Sequence, residues 1–284
     1  MKIDLLYRGP LSSCNFACSY CPFAKRQESR TQLQRDRLAL SRFVEWLTRQ
    51  SDHEFGVLFT PWGEALVRAW YRRAIAMLSR LSNVRLVSVQ TNLSAPLAWL
   101  GDCRSERVAL WASYHPSEVS RKFFLAQVAR ARKHGARISV GMVATPESLE
   151  EAEQFRQELP AEVPFWLNAE RPPRRPYTEA ELARLIRLDP TFDVTRRRAR
   201  TRGLECQTGD TSLTVDGDGV LRRCHFVDTP IGNLYSDDWL ENLQERACPR
   251  GTCECFLGLV NVPSLGLAQQ YKQDWIARSR QSAP

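Results

Sequence analysis

The chain has 284 residues, 43% of them hydrophobic and 25% charged, with a net charge of +8. This is the balance of an ordinary soluble globular protein, long enough for one large domain plus a small appendage. No apolar run is long enough to span a bilayer and no signal peptide precedes the first strand pattern, so a cytoplasmic protein with no membrane partner is expected.

Short apolar, β-branched runs alternate with longer helical patterns through residue 190. The spacing predicts strands over 3–7, 55–60, 84–90, 107–113, 137–143 and 163–168. Between them it predicts helices near 35–49, 65–80, 94–100, 119–134 and 146–159, with another at about 178–188. In the second helix Ala65, Trp70, Ala74, Met77, Leu78 and Leu81 form the apolar stripe. Alternating strand and helix implies a parallel sheet with crossover helices. Six units are too few for an eight-fold barrel and suit an open, partial (β/α)6 TIM-like barrel of the α/β class over 1–190.

A charged, proline-bearing connection, roughly 171–202, follows. It carries two arginine runs, Arg171 to Pro176 and Arg196 to Arg202, read chiefly as solvated faces and otherwise as contacts for a phosphorylated partner or RNA. Residues 203–284 differ in kind. Thr211–Val215 and Val220–Cys224 flank Asp216-Gly217-Asp218-Gly219, a strong hairpin signal. The region is rich in cysteine, with Cys206, Cys224, Cys248, Cys253 and Cys255, and Ser264 to Arg278 carries a rough helical stripe. The last residues, Gln281 to Pro284, are expected to fray.

Nine cysteines, an odd number, without a signal peptide argue for a reducing compartment and for metal rather than disulfides. Three of them, Cys14, Cys18 and Cys21, share one loop after the first strand, spaced C-x3-C-x2-C. Three thiolates hold three corners of a four-iron cube and leave one iron open for a small molecule. A zinc site generally takes four protein ligands, and no fourth lies nearby in sequence. Cys103, alone between two units, reads as an ordinary buried thiol.

This loop, with Tyr20 in the aromatic slot before the third cysteine, resembles the signature of the radical S-adenosylmethionine (radical SAM) superfamily. In a parallel barrel the site lies at the C-terminal ends of the strands. There Gly63-Glu64 is similar to the superfamily's glycine–glutamate motif, with Trp62 in place of its first glycine. The resemblance implies that Glu64 pairs with the SAM amino group. A carboxylate suits an ammonium, and glycine lets backbone approach a ligand; the other reading is that Glu64 charges a helix's first turn. Asn92 and Ser113 are candidates for the ribose or methionine carboxylate, Gly141 for close approach to adenine, and His115 for a proton donor. Thr145, Asn168 and Glu170 follow the fifth and sixth strands.

Cys206, Gly219 and Cys224 match the opening of the SPASM/twitch auxiliary-cluster domain, where a hairpin carries the glycine. Five cysteines fit one extra [4Fe–4S] cluster with one spare thiol. The ending Cys253-x-Cys255 departs from the family and leaves open which two of Cys248, Cys253 and Cys255 are ligands. Zinc on four of the five is the alternative.

The resemblance implies a [4Fe–4S] cluster on Cys14, Cys18 and Cys21 that binds SAM and cleaves it reductively to methionine and a 5′-deoxyadenosyl radical. It also implies hydrogen abstraction from a peptide, protein side chain or small molecule, and a flavodoxin- or ferredoxin-type electron donor. Leu6 to Cys14 and Cys21 to Lys25 look like one bacterial subgroup. The first strand pattern begins at the start of the sequence, so a ribosomal-peptide maturase with its own leader-binding domain is less expected, though not excluded. A zinc-stabilised binding module is the non-enzymatic alternative.

Overall fold

The computed structural model describes residues 1–23, 26–171, 173–271 and 275–279. The expectations for Gln281 to Pro284, and for Ala24 and Lys25 of the subgroup motif, lie outside the described residues.

Six parallel strands run in sequence order across the sheet: β1 (Lys2–Arg8), β2 (Glu54–Phe59), β3 (Val84–Thr91), β4 (Val108–Tyr114), β5 (Arg137–Ala144) and β6 (Phe165–Ala169). The crossovers carry α1 (Arg30–Thr48), α2 (Ala69–Arg80), α3 (Arg121–Lys133), α4 (Leu149–Glu158) and, after β6, α5 (Glu179–Leu188). This is the expected (β/α)6 order, with no α-helix in the β3–β4 crossover among the described residues. The short α6 (Phe192–Thr195) and β7 (Ala199–Arg200) lead to β8 (Ser212–Asp216), β9 (Val220–Arg222) and β10 (Pro230–Asn233). β11 (Thr252–Cys253) pairs with β7, and α7 (Phe256–Leu259) follows it.

The hairpin forms where its turn residues place it. The Asp216 side chain accepts the amides of Asp218 and Val220, and Gly219 takes φ +84, a conformation that favours glycine. The hairpin extends the barrel sheet: β8 lies parallel to β1, with Asp4 opposite Ser212 and Arg8 opposite Asp216. One nine-stranded sheet therefore crosses the expected 190–203 boundary, with β10 and β6 as its two edges.

Helix starts follow capping chemistry more closely than periodicity. α1 begins at Arg30, five residues before its expected start, because Ser29 and Gln32 form a capping box. The expected helix over 65–80 is broken: Glu64 caps a 3-10 turn over Ala65–Val67, Arg68 is extended, and α2 follows. Its buried stripe is Tyr71, Ala74, Ile75 and Leu78, while Met77 is 54% exposed. The expected helix at 94–100 is replaced by 3-10 turns over Ala98–Asp102 and Ser105–Arg107. Pro96 and Gly101 interrupt this segment, which is too short to nucleate an α-helix.

Two apolar layers result. Outside the sheet, Tyr7, Phe43, Phe59, Tyr71 and Ile75 pack between strands and helices. Inside its curve, Leu6, Leu58, Leu86 and Trp111 meet Phe256, Leu259, Leu267, Tyr271, Trp275 and Ile276. The expected terminal helix is instead a string of 3-10 turns among the described residues, with Gly266 at φ +68. These turns plug the open barrel: the indole of Trp111 donates to the Ile276 carbonyl at 2.6 Å, and Ser139 donates to that of Ala277. A Cβ at Gly56 would lie 2.5 Å from Ile276 Cδ1. Ile276→Ala is expected to cost about 2–5 kcal/mol in denaturant unfolding; a loss below about 1 kcal/mol would mean the terminal segment does not pack inside the sheet.

Candidate active site

The cysteine loop between β1 and α1 is held from four sides. Glu28 accepts the backbone amides of Ser12 (2.9 Å) and Ser13 (3.1 Å) and both serine hydroxyls. Beyond β2, the amides of Trp62 and Glu64 donate to the carbonyls of Leu11 and Ser13, and a Cβ at Gly63 would collide with Ser13's carbonyl oxygen. Glycine here is required by the cysteine loop itself, where the sequence suggested approach to a ligand. Beyond β3, the Asn92 amide lies 3.7 Å from Cys14 Sγ and donates to Asn15 at 3.0 Å. Beyond β4, the Ala17 amide donates to Glu118 and the Tyr20 hydroxyl meets His115 Nδ1 at 2.7 Å.

The result is a cleft of about 150 Å³ lined by Cys14, Cys18, Cys21, Gly63, Glu64, Asn92, Ser113 and His115, with Phe23, Trp62 and Gln90 beside them. Two expectations move. Tyr20 stands outside the cleft lining and holds His115. Gly141 is also outside it, and the Trp166 ring fills the space a side chain would take.

Glu64 is 3% exposed and already accepts from the Leu66 amide (2.9 Å), the Thr91 hydroxyl (2.8 Å) and the Asn92 amide (2.6 Å). Burial raises its pKa and these donors oppose the rise. A carboxylate has about four acceptor positions, so one is left for a further donor in the cleft. Glu64 thus caps its 3-10 turn and lines the cleft at once.

Burial lowers the His115 pKa to about 4, so its ring is neutral at neutral pH. A neutral imidazole is a weak proton donor, so the geometry favours a role in holding the loop. Above pH 6.5 the ring is neutral in both folded and unfolded chains. Between about pH 6.5 and 4 the unfolded chain takes up a proton that the folded chain refuses, so stability falls as pH falls. His115→Gln is expected to flatten the unfolding free energy across that window; an unchanged slope would remove the buried neutral ring from the account.

The thiols of this loop suit a cationic centre. Burial and then nearby negative groups raise Cys14, and burial, Glu118 and the other two thiols push Cys18 to about 11. Thiols that resist ionisation alone, as Cys14 and Cys18 do, ionise readily on a metal centre.

The second set separates four cysteines from the fifth. Cys206, Cys224, Cys248 and Cys253 line one cleft; Cys255 does not. Burial raises Cys224, and burial with the neighbouring thiols pushes Cys253 to about 11. A Cβ at Gly258 would sit 2.5 Å from Cys253 Sγ, so the glycine makes room for that sulfur. The donor set fits a four-thiolate cluster. Among the described residues no group of three or more His, Cys, Asp or Glu forms a site for a single metal ion. Cys103, near the Trp99 carbonyl, lines neither cysteine cleft.

Elsewhere the polar residues are used internally. Asn168 accepts from Arg278, Thr145 caps a turn, and Glu170 pairs with Arg174. In the arginine runs, Arg171 and Arg198 pair with Glu254, Arg175 with Glu181, and Arg196 and Arg197 with Asp193. No helix among the described residues is long and apolar enough to cross a membrane. Glu28 and Glu118 belong to no sequence motif, and only through-space contact brings them here.

No family model matches the sequence, and no curated protein matches it. Solved structures match by fold. SuiB of Streptococcus suis bound to S-adenosylmethionine is 13% identical, with a TM-score of 0.53 over 85% of this chain and 65% of that one. The chain thus spans just under two thirds of SuiB. anSMEcpe with bound AdoMet is 14% identical, with a TM-score of 0.54 over 84% of this chain and 80% of that one. The same protein with AdoMet and the Kp18Cys peptide is 11% identical, with a TM-score of 0.56 over 98% and 88%. These neighbours bind S-adenosylmethionine, and the sheet described above shares their partial-barrel fold.

Proposed function

We propose that the chain is a radical SAM enzyme with an auxiliary iron–sulfur centre, acting on a peptide or a small molecule. The observation that carries this reading is convergence. Cys14, Cys18 and Cys21 meet Gly63, Glu64, Asn92 and Ser113 in one cleft, on strands β1 to β4 of the matching fold.

In this reading Cys14, Cys18 and Cys21 hold a [4Fe–4S] cluster through three thiolates. When bound, that cluster and SAM supply one-electron cleavage of the sulfonium bond to methionine and a 5′-deoxyadenosyl radical. Glu64 offers its free acceptor position to the SAM ammonium. Asn92 and Ser113 orient the ribose or carboxylate from the β3 and β4 ends. Phe23 and Trp62, with ring centroids 4.4 Å apart, give the cleft an apolar wall. Cys206, Cys224, Cys248 and Cys253 hold the auxiliary cluster, which leaves Cys255 as the spare thiol. A flavodoxin- or ferredoxin-type protein supplies the electron. The anSMEcpe complexes with peptides, matched over 98% of this chain, favour a peptide substrate.

The test is anaerobic reconstitution, reduction with dithionite and assay of 5′-deoxyadenosine. Deuterium transfer into 5′-deoxyadenosine from labelled peptides or metabolites identifies the hydrogen donor. A colourless zinc protein that leaves SAM intact would replace this reading with a binding module.

A further inference from the structure

Resting on the proposed function, the question is what the substrate must carry. Arg8 ends β1 on its inward-facing side, two residues beyond Leu6 of the inner apolar layer. It is next to Thr60, one residue past the paired Tyr7 and Phe59, and its Nε donates to the Thr60 carbonyl at 2.9 Å. The guanidinium carbon lies 4.0 Å from the centroid of Trp62, and Trp62 lines the cysteine cleft. On the other side stand residues of the second cysteine region. His225 Nε2 is 3.1 Å from the Thr60 hydroxyl, and both His225 and Cys255 are close enough to Arg8 to interact electrostatically. Arg8 therefore sits between the two cysteine regions.

Among the described residues no carboxylate answers its charge. Two other arginines on this side of the sheet have protein partners: Arg85 pairs with Asp4, and Arg278 donates to Asn168. Arg8 forms no ion pair among the described residues, and its two Nη groups have no protein acceptor there. Partial burial lowers its pKa to about 10, as expected of a cation partly withdrawn from water with no carboxylate beside it. Partly buried charges are costly unless paired.

We propose that Arg8 is a specificity-determining residue that binds a carboxylate of the substrate through its two Nη groups while Trp62 holds the guanidinium plane. A planar fork matches a carboxylate in two parallel hydrogen bonds. One positive charge balances a carboxylate and under-compensates a phosphate dianion. The carboxylate would then lie beside the cleft, with the rest of the substrate free to reach it.

The test titrates the full, reconstituted chain by calorimetry with benzoate, benzamide and inorganic phosphate. Wild type is expected to bind benzoate at least about tenfold more tightly than benzamide or phosphate, and Arg8→Gln to erase that preference. Arg8→Lys, which keeps the charge without the fork, is expected to retain part of it. The wild-type comparison stands even where a variant fails to fold. N-acetyl-alanyl-phenylalanine is ranked against benzoate: tighter peptide binding points to a peptide carboxylate, tighter benzoate binding to a free acid, and either supports the site. Preference for phosphate, or a benzoate preference that survives Arg8→Gln, overturns the proposal. So does a loss of SAM affinity of about tenfold in Arg8→Gln, which would assign Arg8 to SAM instead. If wild type makes no 5′-deoxyadenosine yet shows the Arg8-dependent preference, the carboxylate site stands and the radical SAM reading falls.

Discussion

Replacing any one of Cys14, Cys18 and Cys21 by Ala is expected to lower dithionite-driven 5′-deoxyadenosine formation by at least about a thousandfold, or about 4 kcal/mol. The reason is that the three thiols are not interchangeable with any other sulfur. Cys103 lines neither cysteine cleft, and the remaining five belong to the second cysteine region. The loop itself should keep its shape in these variants. Glu28 grips Ser12 and Ser13, the Ser13 carbonyl receives the Glu64 amide, and Glu118 receives the Ala17 amide. None of those bonds uses a cysteine side chain. A melting temperature close to wild type with activity lost would therefore locate the defect at the thiols. Product formation above about a tenth of wild type in any one variant would sink the three-cysteine assignment.

The sequence made this cleft legible because strand ends are directional. Once the six strands were placed, Cys14, Gly63, Glu64, Asn92 and Ser113 had to emerge at the same end of the sheet. The hairpin was legible because Asp216 and Gly219 enforce a turn by local hydrogen bonding and backbone conformation. What stayed hidden depends on neighbours distant in sequence. Glu28 serves the loop through two amides, a contact no spacing encodes. Trp166 claims the space beside Gly141, so the missing side chain on β5 answers an indole on β6. The terminal segment carries an apolar stripe that suits a helix. The hollow inside an open sheet accepts the same residues as turns, and burial of Trp275 and Ile276 there decides the outcome. In α2, Tyr71 and Ile75 rather than Met77 face inward, because Arg68 is extended and shifts the helix's starting phase.

The second large effect concerns iron. Wild type is expected to hold about eight irons per chain after reconstitution, and Cys224→Ala or Cys253→Ala about four. Cys255→Ala is expected to stay near the wild-type value. The separation rests on geometry: Cys206, Cys224, Cys248 and Cys253 share a cleft, and Cys255 lies on the side toward Arg8. Cys224, raised by burial, and Cys253, pushed by burial and neighbouring thiols to about 11, ionise readily only against a positive centre. Gly258→Ala offers an independent check, because a Cβ placed 2.5 Å from Cys253 Sγ must displace that sulfur. It should lower iron occupancy of the second set while leaving 5′-deoxyadenosine formation at the first intact. Four irons and one zinc in wild type would keep the four-cysteine site and replace its metal. Iron unchanged near eight after Cys224→Ala would remove the site, and with it the reason for Cys255 to be the spare thiol.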